Sequence, residues 1–221
     1  YDQLELRIIA ALSQDPRLLE VFASGLDPHE ETAKWLLKDE WRLASTDERK
    51  ALRDLVKPIN YGAAYEGGPR KLWSVAVIDF PEMTLDRMRR LLDKWFTVYA
   101  GVKTWQLATM KFAEDHGYIE KPLSGHRMYF GGRVKPTEAC NYPVQGTAGD
   151  IINEATPIVS SALRWPAEGI LAQVHDSLVT DGPNWRRLAG ILRDAMTVTK
   201  LGIPFTVTVK RGPNWGEMKR V

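Results

Sequence analysis

Asp176 sits where an apolar run is interrupted. Ile170, Leu171 and Ala172 precede it, Leu178 and Val179 follow, and His175, Asp176 and Ser177 break the run. A short buried run broken by polar residues and then resumed predicts two strands meeting at a tight turn. Such a turn holds the Asp176 carboxylate at the tip of a hairpin, within reach of a hard cation. Mg²⁺ is bound through one or two carboxylates plus substrate phosphates. Aspartate is also favoured in ordinary turns, where its side chain bonds nearby backbone, so this motif alone leaves both readings open.

A second constellation lies in Arg53-Asp-Leu-Val-Lys57-Pro-Ile-Asn-Tyr61-Gly-Ala-Ala-Tyr65. Arg53, Lys57, Tyr61 and Tyr65 are four residues apart, which places them on one slowly rotating stripe of a helix. Two cations followed by two aromatic rings can hold a triphosphate and stack a base. Arginine grips phosphate as a bidentate fork, and lysine acts as a point charge. A solvated basic turn beside a half-buried aromatic face has the same spacing.

These residues sit in a chain of 221, 44% hydrophobic and 26% charged, which is an ordinary globular composition. The length suits one large domain or two intimate subdomains. A net charge of +2 leans basic without by itself indicating nucleic acid. Cys140 is the single cysteine, so no intrachain disulfide can form. No apolar run approaches the roughly 20 residues that span a bilayer. Residues 1–20 lack a signal-peptide pattern, and the chain starts without Met, so it reads as a fragment.

The elements that must carry the two constellations are legible in part. Leu4, Ile8, Ala11 and Leu12 predict a helix over 3–13. Asp15–Pro16 and Asp27–Pro28 each pair an N-cap with proline at the first helical position, and Gly25 stops the first of these helices. Ser45 with Glu48 fits a capping box opening a helix that runs through Ile59. Gly67–Gly68–Pro69 breaks it. Pro58 inside this helix predicts a kink, or a later start. Thr84 caps another helix, and a further one runs from about Val102 to Gly117. Two short runs around Leu123–Ser124–Gly125 predict a hairpin. Helices over 144–163 and 184–200 flank the Asp176 hairpin, and alternation over 205–210 predicts a strand. Helices first and strands later make this α+β rather than repeated βαβ. Trp35, Trp41, Trp73, Trp95 and Trp105 are expected in the core, and Cys140 as a buried hydrophobe. The Arg87, Arg89 and Arg90 cluster is expected on a solvated face.

The stripe Arg53-x3-Lys57-x3-Tyr61-Gly62-x2-Tyr65 resembles motif B of the family A DNA polymerases, and five more segments resemble family blocks in the expected order. Tyr1-Asp-Gln3-Leu-Glu5-Leu-Arg7 is similar to motif A from its second residue onward, and Gln173-Val-His175-Asp176 to motif C. Asp27-Pro-His29-Glu-Glu-Thr32-Ala33 resembles a fingers segment. Asn141-Tyr-Pro143-Val-Gln145-Gly146-Thr147-Ala148 and Gly212-Pro-Asn214-Trp215-Gly216 match two further blocks.

The resemblance implies an α+β right-hand fold: a palm with an antiparallel sheet and flanking helices, and an inserted helical fingers subdomain. Residues 1–12 and 101–221 would be palm and 13–100 fingers, with the thumb and any exonuclease domain upstream. It implies dNTP addition to a primer 3′-OH on a primed DNA template, using two Mg²⁺ ions with Mn²⁺ able to substitute. Asp176 would bind metal together with the Tyr1 carbonyl, and the motif A Asp would immediately precede Tyr1, so the fragment alone would be inactive. Lys57 would hold the triphosphate and protonate pyrophosphate. Arg53 and His29 would bind phosphates, Tyr61 would pack on sugar and base, Glu5 would reject a ribose 2′-hydroxyl, and Gln3 would border the nucleotide. Tyr65, Asn141, Gln145, His175 and Arg7 would touch primer–template. No membrane contact and a cytoplasmic setting, in a bacterial or phage-infected cell, follow from the same resemblance.

Departures from the family pattern are local. Ser177 stands where Glu is usual, Glu66 replaces a common Gly, and Thr137 replaces a common basic residue, which suggests a divergent phage or plasmid branch. Two other readings remain at this point: a single-subunit RNA polymerase relative, and a catalytically silent nucleic-acid-binding module.

Overall fold

A computed structural model describes all of residues 1–221. In chain order it contains α1 (Leu4–Ser13), α2 (Pro16–Ala23), α3 (Pro28–Leu36), α4 (Lys38–Leu43), α5 (Thr46–Ala64), α6 (Pro69–Asp79), α7 (Leu85–Val98) and α8 (Ala100–His116). There follow β1 (Tyr118–Glu120), β2 (Arg127–Tyr129), α9 (Pro136–Ala162), β3 (Gly169–Val174), β4 (Ser177–Asp181) and α10 (Trp185–Met196). The chain closes with β5 (Val198–Lys200), β6 (Ile203–Phe205), β7 (Lys210–Arg211), a 3₁₀ turn at Trp215–Glu217, and β8 (Lys219–Arg220). The α+β class is as expected. The strands pair as four separate two-stranded antiparallel ladders.

Two compact units divide the chain. One comprises Tyr1–Ile8, Lys121–Gly125 and Val144–Val221; the other comprises Ile9–Glu120 and His126–Pro143. We call them the mixed unit and the helical unit.

In the helical unit, helix starts follow their caps. Asp15 Oδ1 accepts from Arg17 N and Leu18 N, and Asp27 Oδ1 accepts from His29 N and Glu30 N. Each satisfies amide donors that a helix start otherwise leaves unpaired. The Ser45–Glu48 capping box is formed, and Thr84 caps α7. Gly117 ends α8 at φ 73°, a left-handed conformation that glycine adopts without a Cβ penalty. Helices α3, α5 and α7 pack on one another and bury Leu36, Leu55, Ile59, Met88 and Trp95. The Thr32 and Tyr99 hydroxyls meet at 2.7 Å inside that core. Gln106 Nε2 donates to the carbonyls of Ala63 and Ala64, closing the C-terminal end of α5.

Several expectations are corrected. Helix α5 starts at Thr46 and runs unbroken through Pro58, so the proline does not delay it. Its early capping box and the burial of Leu55, Val56 and Ile59 outweigh one lost backbone bond. Helix α9 begins at Pro136, eight residues before the predicted start, despite Pro143 within it. Burial of Ala139 and Cys140 stabilises its first turns, with Ala139 packed against Ala113 and Val134. Helix α4 starts without a side-chain cap, and α6 starts at Pro69, a first-position proline expected from the sequence only as a break. Of the five tryptophans expected in the core only Trp95 is fully buried. Trp35 and Trp41 are half-buried beneath the guanidiniums of Arg17 and Arg49. Arg87 and Arg89 pair with Glu40 and Asp86 on exposed faces. Cys140 is fully buried, and burial pushes its thiol pKa up to about 12.

In the mixed unit, Tyr1, Leu178, Leu192 and Val207 pack around Ile152, Ala155 and Met196. Helix α10 stops at Met196, and Val198 and Thr199 enter β5 rather than prolonging the helix to residue 200. These β-branched residues pair with β6 across a turn in which Leu201 and Gly202 have φ 52° and 76°. Both positive angles are what a type I′ hairpin turn requires. The strand predicted over 205–210 is split between β6 and β7. Between them, the Thr206 carbonyl accepts from Asp2 N and the Val209 carbonyl from Val221 N, too few bonds for a ladder.

Candidate active site

Helix α5 projects the stripe that sequence spacing picked out, and α3 brings His29 to it. His29 and Tyr61 ring centres lie 5.8 Å apart, tilted by 53°. The Arg53 guanidinium donates to Asp27 Oδ2 at 2.6 Å, and Lys57 Nζ lies 2.8 Å from Asp54 Oδ1. Tyr65 is the C-cap of the same helix. His29, Arg53, Lys57 and Tyr61 therefore form one cluster on the helical unit. Each of its two cations is already matched by a carboxylate.

Electrostatics reinforce that pattern. Burial works against the Asp27 charge, yet bonds from the Arg53 guanidinium and the Glu30 N–H hold its carboxyl below the usual range. Arg53 is held above its ordinary value, chiefly by the Asp27 bond. Burial lowers the His29 pKa to about 4, with Arg53 and Lys57 pushing the same way against Asp27 and Asp54. His29 is thus a neutral imidazole at physiological pH.

Asp176 occupies the hairpin turn that its sequence predicted. Val174 pairs with Ser177, leaving His175 and Asp176 as a two-residue loop, with His175 at φ 53°. A bulge at Leu171, between Ile170 and Ala172, re-aims β3. The hairpin is less buried than its apolar sequence predicts: no residue of β3 or β4 is fully buried, and Leu171 is 68% exposed. These two strands pair only with each other, and Leu178 reaches the core cluster of this unit.

Tyr1 N donates to the Asp176 carbonyl at 3.1 Å. Ser177 Oγ donates to Asp176 Oδ1 at 3.4 Å. The Tyr1 phenol is pushed up to about 12 by burial, with the Glu154 and Asp176 carboxylates adding to it. Gln3, at φ 56°, accepts the Arg7 N–H through its carbonyl, and Glu5 lies in the first turn of α1. The Arg7 guanidinium donates to the Asp2 and Pro204 carbonyls, tying the start of the chain to β6. His175 and Gln145 are exposed, and Asn141 is half-buried with Oδ1 lacking a hydrogen-bond partner.

The expected site residues thus form two groups. His29, Arg53, Lys57, Tyr61, Tyr65 and Asn141 belong to the helical unit, whereas Tyr1, Gln3, Glu5, Arg7, Gln145, His175 and Asp176 belong to the mixed unit. Sequence reasoning missed Asp54 and Asn60 as partners of the first group, and read Asp27 only as a cap. Asn60 directly precedes Tyr61, but nothing in its spacing points to His29. No group of three or more His, Cys, Asp or Glu side chains is arranged to hold a metal ion. The carboxylate of Asp176 and the carbonyl of Tyr1 are hard oxygen donors. They suit an Mg²⁺ ion that takes its remaining ligands from water and phosphate, and one carboxylate does not by itself fit a two-ion set.

The sequence model of DNA polymerase family A matches residues 1–217. The chain is 31% identical to DNA polymerase I of Chloroflexus aurantiacus, covering 99% of this chain and 24% of that protein. It is 32% identical to the thermostable DNA polymerase I of Thermus thermophilus, covering 97% of this chain and 26% of that protein. The chain therefore spans about a quarter of the length of these relatives. The fold is similar to the POL domain of Pol1 from M. smegmatis, solved in complex with DNA primer-template and dNTP. There the TM-score is 0.77 and the identity 28%, over 92% of this chain and 37% of that one. No helix is long and apolar enough to cross a membrane. By a match that runs almost from end to end, the chain belongs to the family A DNA polymerases.

Proposed function

We propose that this chain is the fingers and palm portion of a template-directed DNA polymerase that adds dNTPs to a primer 3′-OH. Fingers would correspond to residues 13–100 and palm to 1–12 and 101–221. The observation that carries the reading is Asp176 at a two-residue hairpin tip, in a chain matched to the family over residues 1–217.

In this reading His29, Arg53 and Lys57 bind the triphosphate, and Lys57 protonates the departing pyrophosphate. Tyr61 packs on the sugar and base, Glu5 excludes a 2′-hydroxyl, and Gln3 borders the nucleotide. Tyr65, Asn141, Gln145, His175 and Arg7 contact the primer–template, where shape and groove contacts test pairing without reading sequence. Asp176 and the Tyr1 carbonyl hold Mg²⁺, with a second carboxylate at the motif A position just ahead of Tyr1. Two bound ions would stabilise charge on the attacking and leaving oxygens of an in-line displacement. Thumb and exonuclease domains would come from the parent chain.

Primer extension tests this, using the parent chain restored upstream of Tyr1, with Mg²⁺ and dNTPs, beside its Asp176→Asn form. Templated extension that the substitution abolishes is the expected result. The single carboxylate at the Asp176 turn favours one alternative, a silent nucleic-acid-binding module. Tight binding to primed DNA with no extension by the parent would establish that alternative instead. Extension with NTPs in preference to dNTPs would point to an RNA polymerase.

A further inference from the structure

His29 is 4% exposed, and its Nδ1 lies 2.9 Å from Asn60 Nδ2. At the other end of the Asn60 amide, Trp95 Nε1 lies 2.7 Å from Oδ1. An indole N–H can only donate, so the amide atom facing Trp95 must be the oxygen. That leaves the NH₂ group facing His29, and an amide NH₂ can only donate as well. Nδ1 is therefore the acceptor and carries no proton, which puts the ring proton of neutral His29 on Nε2. Asn60 and Trp95 are 2% and 1% exposed, so water does not compete for either bond.

We propose that Trp95 and Asn60 are positioning residues that lock His29 as the neutral Nε2–H tautomer, so that it meets a phosphate as a directional N–H donor and not as a cation. This rests on the assignment of His29 to the nucleotide phosphates made above. The chain of bonds runs from α7 through α5 to α3, three helices packed on one another. The charges acting on His29 are Asp27, at the head of its own helix, and Arg53, Asp54 and Lys57 on α5; the ring facing it is Tyr61. Burial, with Arg53 and Lys57 acting in the same direction, outweighs Asp27 and Asp54 and lowers the pKa of the ring to about 4. Positive charge at the phosphates is then left to Arg53 and Lys57, and His29 contributes direction.

Histidine-selective ¹⁵N NMR on the full-length polymerase tests the lock, with His29 assigned by comparison with His29→Gln. In the unsubstituted protein, Nε2 should be protonated and Nδ1 bare from pH 8 to pH 5. Asn60→Asp replaces the donor with a carboxylate, so Nδ1 should gain a proton and the titration midpoint should rise by more than about one pH unit. Trp95→Phe keeps the packing but frees the amide to rotate, so both tautomers should appear. In steady-state assays that protein should show a dNTP KM raised about fivefold with kcat unchanged. An Nδ1–H tautomer in the unsubstituted protein, a midpoint near 6.5, or no tautomer change in either variant would overturn the proposal. The phosphate assignment fails separately: a His29→Ala polymerase with unchanged dNTP KM would overturn that assignment, while the tautomer seen by NMR stood.

Discussion

Arg53 and Asp27 are joined by a 2.6 Å hydrogen bond, and the other oxygen of the same carboxylate caps the helix that carries His29. One aspartate therefore orients two residues of the proposed phosphate site, although 26 positions separate it from Arg53. The pair lies about 70% out of solvent on both sides, so it is less screened than a surface ion pair.

Asp27→Ala should remove the cap and the guanidinium partner together, at a cost of about 1–3 kcal/mol. Asp27→Asn keeps a good cap and should lose less. Urea denaturation of the two variants checks this, and an alanine variant no less stable than the asparagine one would refute the double role.

Asp54 holds Lys57 at 2.8 Å, with both side chains more than 40% exposed. An exposed pair of this kind contributes only about 0–1 kcal/mol to stability. Its main effect is to occupy the ammonium. Asp54→Ala should leave stability nearly unchanged and tighten dNTP binding by up to about fivefold, the equivalent of about 1 kcal/mol. Titration of nucleotide into the parent polymerase measures the change; weaker binding would mean that Asp54 orients Lys57 for the phosphate.

Acid should destabilise the helical unit through His29. Its ordinary value of 6.5 falls to about 4 in the folded chain, so the unfolded state binds the proton more readily. The stabilising contribution is fully present above pH 6.5, is lost as pH falls through that value, and is gone below about pH 4. The depressed Asp27 carboxyl acts in the same direction at the acid end. The His29 part is on the order of 3 kcal/mol by linkage. Denaturation across pH 4–8 for the protein and its His29→Gln variant should show a shallower acid slope in the variant.

Gly101 opens the first turn of α8 against Asp15, whose Oδ2 accepts the Gly101 N–H at 2.8 Å. A Cβ at this glycine would stand 2.8 Å from the Asp15 Cα, a backbone atom that cannot swing aside. Gly101→Ala should cost about 1–3 kcal/mol in overpacking, against a helix-propensity gain of about 1 kcal/mol. Thermal unfolding should show a lower Tm; a higher one would mean that α8 shifts freely.

Much of the architecture was legible because its signals are local. The Asp15, Asp27, Ser45 and Thr84 caps act on amides two or three residues away, so the cap and its helix start appear together in the sequence. The His175–Asp176 turn is equally local. The start of α9 was not legible, because burial of Ala139 and Cys140 against distant residues carries the helix through Pro143. The interrupted C-terminal strand is another such case. Alternation over 205–210 reports a two-faced segment, but a ladder also needs a partner strand, and periodicity does not reveal one.

The candidate site divides along the same line. The interrupted apolar run marked Asp176 as a candidate, four-residue spacing marked Arg53, Lys57 and Tyr61, and motif order pointed to the family. Only the tertiary structure pairs Arg53 with Asp27, sets Asn60 between His29 and Trp95, and keeps His29 neutral. Charge state and tautomer depend on burial and on donors from other helices. Those contacts form only when α3, α5 and α7 pack together, so no reading of neighbouring residues contains them.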